Sequence, residues 1–147
     1  MRDLSHAVET SARDALRDTI QQLNTSLSTH GQTELDNRMC RFAAGLQHDR
    51  DRFFPVRPLI FGGDDLTLVC DGRLGLALAA VYLKAFHTHT TSEFSRLDFP
   101  DRDKKISDEL KKPAYACAGV AIVKTHYPFA RAYKLSSALC DLSLIHI

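Results

Sequence analysis

Apolar side chains fall at Leu4, Val8, Ala12, Ala15, Leu16, Ile20, Leu23 and Leu27, with Arg2, Asp3, Glu9, Arg13, Asp14, Arg17 and Asp18 between them. Spacing of three and four residues predicts an amphipathic helix over 2–28. A weaker stripe, Leu35, Met39, Phe42, Ala43 and Leu46, predicts a second helix over 34–47. From Val56 the period changes. Two short apolar runs, Val56 to Phe61 and Leu66 to Cys70, flank Gly62-Gly63-Asp64-Asp65 and predict a β-hairpin over 56–70. Pro58 has no N–H to give a ladder, which puts the first strand at a sheet edge. Asp71 is the expected cap of a helix over 73–87, apolar almost all round and so suited to packing on a sheet. The polar, Thr-rich stretch 88–112 reads as a loop. Residues 114–123, Ala-Tyr-Ala-Cys-Ala-Gly-Val-Ala-Ile-Val, read as a central strand covered on both faces. Pro128 then opens a helix over 128–141.

The chain has 147 residues, 44% hydrophobic and 25% charged, with a formal charge of +1. This is the composition of one folded domain, placed at 1–141, and it carries no global basic field for non-specific nucleic-acid binding. No apolar run approaches the roughly 20 residues of a membrane helix, and residues 1–9 lack a signal-peptide core. The expectation is a soluble, cytoplasmic chain with no membrane partner. Cys40, Cys70, Cys117 and Cys140 show neither a C-x-x-C pair nor zinc spacing with histidine, so they read as reduced thiols. Neither a G-x-S-x-G elbow nor a Gly-rich phosphate loop of the Walker or dinucleotide type is present. Lys104, Lys105, Lys111 and Lys112 alternate with Asp101, Asp103, Asp108 and Glu109, the pattern of a solvated loop.

Gly62-Gly63-Asp64-Asp65 is the motif that carries chemistry. Two glycines permit positive φ and present no Cβ, so a phosphate chain can approach the backbone. Two carboxylates at a turn supply hard oxygen ligands for Mg²⁺ or Mn²⁺, and two such ions can activate a ribose hydroxyl and neutralise a pyrophosphate leaving group. The alternative is a plain tight turn, for which Gly and Asp are ordinary residues. Lys124, closing the predicted 114–123 strand, is a candidate phosphate contact or an exposed strand-end lysine.

Pro58-Leu59-Ile60-Phe61-Gly62-Gly63-Asp64-Asp65-Leu66 followed by a buried helix resembles the GGDD hairpin in the palm domain of the large polymerase/cyclase subunit of type III CRISPR effector complexes. Ala118-Gly119-Val120-Ala121-Ile122-Val123-Lys124, then His126-Tyr127-Pro128-Phe129 and a helix, resembles the strand and helix that follow that hairpin. The likeness covers about residues 55–141 and is shared more distantly with the GGDEF diguanylate cyclases. It implies an α+β, ferredoxin-like palm of βαββαβ order. The implied activity is synthesis of cyclic oligoadenylates from ATP in antiviral defence. Asp64 and Asp65 are then catalytic metal carboxylates, two Mg²⁺ or Mn²⁺ ions the cofactors, and Gly62 and Gly63 the nucleotide contacts. Effector subunits and guide RNA are the implied partners of the full-length protein. Use of GTP by a related cyclase, or a non-catalytic scaffold that binds nucleotide or partner subunits, stand as alternatives.

The family's palm opens with a strand bearing a further metal-binding Asp, whereas here a helix is predicted from residue 2. The chain is therefore expected to be a fragment lacking that first strand and inactive by itself. Residues 142–147 resemble translated adaptor sequence. In the palm sheet order 4-1-3-2 the missing strand would lie between Leu66–Cys70 and Ala114–Val123. Its absence leaves an open slot, direct parallel pairing of those two segments, or pairing with a strand of another molecule, and a slot or direct pairing is expected within a single chain.

Overall fold

A stripe of small residues at four-residue spacing sets the packing of the first helix. In the computed structural model, which describes residues 2–28, 54–63, 65–97 and 111–145, helix α1 (Arg2–Ser28) buries Ala7, Ser11, Ala15 and Thr19, with Ala12, Leu23 and Ser26 beside them. The larger Leu4, Val8, Leu16 and Ile20 sit half-buried on the flanks of that stripe. Thr19 satisfies its hydroxyl by donating to the Ala15 carbonyl at 2.7 Å. The remaining elements are β1 (Val56–Gly62), β2 (Asp65–Cys70), α2 (Gly75–Ser95) and α3 (Phe129–Ile145). The described residues thus make a small α+β fold of three helices and one two-stranded antiparallel sheet.

Helices α1 and α2 pack against each other in opposite directions, and the sheet closes one end of their interface. Leu23 of α1 meets Leu74, Leu78 and Val81, with Val56 of β1 and half-buried Leu68 and Cys70 of β2 against them. Farther along, Ala12 and Ala15 receive Phe86, with Tyr82, Ala85 and Ala114 around it. Burial at this second cluster pushes the Tyr82 hydroxyl up to about 12.

The hairpin register pairs Val56 with Cys70 and Gly62 with Asp65, with a bulge between Pro58 and Ile60 that leaves Leu59 unpaired. A bulge next to a residue without an N–H is where a ladder tolerates the missing donor.

Four expectations are corrected. The helix predicted over 73–87 runs from Gly75 to Ser95, so 88–95 are helical rather than loop. Thr88, Thr91 and Ser95 donate their hydroxyls to carbonyls of the preceding turn, and buried Thr90 and Phe94 extend the packed face. Tertiary burial here outweighs the weak helix propensity of threonine.

Asp71 is not the cap. The N-cap position is Leu74, without a side-chain hydrogen bond, and Asp71 instead accepts from the Arg73 backbone N–H at 3.0 Å and from its guanidinium at 2.8 and 2.9 Å. The Asp71 carbonyl accepts from the Leu74 N–H, and its own N–H donates to Pro55. Asp71 therefore builds the turn from hairpin to helix.

Residues 114–123 form no strand. The segment lies along α2: the Thr90 hydroxyl donates to the Ala114 carbonyl at 3.3 Å, and the His87 and Tyr115 rings stack at 4.8 Å. Val120 covers Gly75 and Ile122 covers Gly72. It thus runs opposite to α2, and no ladder joins it to β2 among the described residues. Direct closure is absent among the described residues: the segment meets α2 and α3, and Tyr115, Ile122 and Val123 stay exposed.

The last helix, expected over 128–141, spans Phe129–Ile145 and so includes 142–145. The expected helix at 34–47 lies outside the described residues.

Candidate functional site

The hairpin tip is a two-residue turn. Gly62 and Asp65 close the ladder, and Gly63 takes φ +62°, the conformation that two-residue hairpin turns demand at their first central position. A Cβ at Gly62 or at Gly63 would meet nothing within 4 Å. The glycines therefore answer two different requirements. Gly63 satisfies backbone geometry, while Gly62 leaves open space that no packing in this fold requires.

Alternation along β2 decides which way Asp65 faces. Leu68 and Cys70 pack into the helix-facing core, so residues of the other parity, Asp65, Thr67 and Val69, belong to the opposite face of the sheet. Asp65 is exposed there, together with exposed Val69 and, on β1, Ile60. The result is an exposed carboxylate at the rim of the sheet face turned away from the helices, beside the glycine turn. Asp64 lies outside the described residues.

Lys124 is not brought to this tip. Ile122, two residues earlier, rests on Gly72 just beyond the opposite end of β2. The six residues of that strand span roughly 17–20 Å. Lys124 is exposed, and its carbonyl accepts from the Tyr127 N–H in the turn that leads to α3. Arg131 lies on α3 beyond that same turn.

Asp65 is an oxygen donor of the kind Mg²⁺ takes, exposed and adjacent to the turn, and in that respect fits a hard cation. Among the described residues no three His, Cys, Asp or Glu side chains converge as a ready ligand set. Nor is any described helix long and apolar enough to cross a membrane.

A second cluster escaped the sequence reading. Cys117, in the extended segment, and Cys140, on α3, are half-buried with their sulfurs 2.8 Å apart. The hydrogen bond with Cys117, then burial, then the charges of Cys117 and Asp141 push the Cys140 thiol up to about 11. Their separation of 23 residues matches no metal or redox spacing, so only the close passage of the segment over α3 reveals the pair. Comparison with protein-family models, with curated proteins and with solved structures finds no match to this chain.

Proposed function

We propose that the chain contributes the GGDD hairpin and its packing helices to a metal-dependent nucleotide cyclase or nucleotidyltransferase palm that joins ATP into cyclic oligoadenylates. The observation that carries this reading is the hairpin tip: an exposed Asp65 on the open sheet face, directly after a turn in which Gly63 has positive φ and Gly62 faces empty space. Asp64 and Asp65 would hold the divalent ions. Bound there, such ions lower the charge of the triphosphate and favour the ribose hydroxyl as nucleophile. The chain itself admits the phosphates over Gly62 and Gly63 without a steric cost, and presents exposed Ile60 on the same sheet face as the carboxylate.

The test is a Mg²⁺ and Mn²⁺ titration of the chain, repeated with Asp64→Asn plus Asp65→Asn. Weak binding that disappears in the double variant, with an unchanged far-ultraviolet spectrum, supports the metal site; unchanged binding removes it. Incubation of a palm with its first strand restored separates the substrates. Oligoadenylates from ATP support the proposal, whereas products from GTP alone move the protein to a different cyclase class. Metal binding with no turnover of either leaves a scaffold.

A further inference from the structure

We propose that Cys117 and Cys140 are a redox modification site, closed to an intramolecular disulfide by a low-molecular-weight disulfide such as oxidised glutathione. The inference is independent of the hairpin chemistry and rests on the placement of two chain segments.

The sulfurs are 2.8 Å apart with both cysteines free, so only a small approach separates them from the bond length of about 2.05 Å. The surrounding backbone already holds this proximity. Two residues after Cys117, Gly119 runs so close to α3 that a Cβ there would sit on the Ser136 carbonyl and 3.0 Å from the Cys140 N–H nitrogen. Cys117 also points its sulfur at the Cys140 carbonyl, 3.8 Å away. By contrast, Cys70 packs against the Leu23–Leu74 cluster, and burial, with Asp71 beside it, raises its thiol. Cys70 is thus a poor competitor for oxidant.

The exchange balances as two thiol–disulfide steps. Cys117, as thiolate, attacks one sulfur of the small disulfide, forming a mixed disulfide and releasing one thiol. Cys140, whose thiol the Cys117 hydrogen bond and burial push up, then loses its proton to solvent and attacks the Cys117 sulfur, and the departing thiolate takes up a proton in turn. The Cys117–Cys140 bond forms, the mixed disulfide breaks and a second thiol leaves. Two protein thiols are oxidised and one small disulfide is reduced.

The product would tie the extended segment to α3 across the exposed turn at 124–127. That turn contains Lys124, which makes the consequence readable. The full chain is equilibrated in oxidised glutathione under native conditions, its remaining thiols are alkylated, and it is digested with trypsin. The expected result is, before alkylation, an intact mass lower than that of the reduced chain by about 2 Da, and, after digestion, a cross-linked pair, the peptide ending at Lys124 joined to the one beginning at Leu135. Cys40 and Cys70 should be found alkylated, and Cys70→Ser should give the same cross-link. Cys117→Ser and Cys140→Ser should each abolish it. A persistent glutathione adduct on either cysteine, a cross-link to Cys40 or Cys70, or recovery of all four thiols would overturn the proposal.

Discussion

His89 Nε2 stands 2.8 Å from Asp18 Oδ2, a polar bridge between α1 and α2 across 71 positions of sequence. Both side chains are substantially exposed, the Asp more than the His. Exposed pairs contribute between about 0 and 1 kcal/mol, so this bridge does not hold the helices together. The core beside it does. Leu78, fully buried among Leu23, Val56, Leu74 and Val81, should cost about 2–5 kcal/mol when cut to alanine. Denaturant unfolding of Leu78→Ala and His89→Ala in parallel checks the ranking. A histidine variant as damaging as the leucine one would show that the bridge, not the packing, sets the helix pair.

The two hairpin glycines separate in a similar experiment. Gly63 has positive φ, and an L side chain in the left-handed region costs roughly 1–2 kcal/mol. Gly62 has ordinary φ and open space where a methyl group would stand, so alanine there should change stability by less than about 0.5 kcal/mol. If Gly62 serves nucleotide approach, Gly62→Ala in a restored palm lowers ATP affinity while the urea midpoint stays put. Equal losses of stability in both variants would remove the distinction.

Acid titration should register the turn at Asp71. Its hydrogen bonds from the Arg73 guanidinium and N–H lower the carboxyl to about 2 from an ordinary value near 3.8, and burial opposes them only in part. Because the folded-state value is the lower one, the contribution is complete above the ordinary value. It fades as pH falls from there through about 2. Asp71→Ala should therefore flatten the acid limb of the stability curve in that window and leave its slope near neutrality unchanged. An identical acid limb in the two proteins would show that the contact adds nothing.

What the residue pattern revealed and what it hid have physical reasons. Helix α1 is legible because its apolar and charged positions keep a helical period, although the residues that meet α2 include the small Ala12 and Ala15 as well as Leu23. The hairpin is legible because a Gly-Asp turn between two β-rich runs has few other solutions. The end of α2 was hidden because Thr88, Thr90 and Thr91 lower helix propensity locally, while burial of Thr90 and Phe94 decides the outcome. An apolar run such as 114–123 looks the same whether strands or helices cover it. The position of Lys124 away from the hairpin tip is hidden for a related reason: where a segment ends depends on its direction beside α2, and spacing along the chain does not encode that.

Gly119 offers the sharpest test of how α3 is held. The Ser136 carbonyl, not a yielding side chain, occupies the place where a Cβ would go, so Gly119→Ala forces the extended segment and α3 apart. Few other contacts resist that separation, since Phe129, Tyr133, Leu135, Leu139 and Leu142 are all exposed along the helix. The α1–α2 core does not include Gly119 and should survive. Hydrogen exchange should accelerate at the amides of 129–145 and remain slow at Leu74, Leu78 and Val81. The same variant should lose most of its Cys117–Cys140 cross-link under oxidised glutathione, because the backbone approach that brings the sulfurs together is gone. Unchanged exchange in α3 would mean that the helix is anchored elsewhere. Retained cross-linking alongside faster exchange would mean that the thiols find each other by diffusion of a loose tail, and the close passage of Gly119 over Ser136 would no longer account for their pairing.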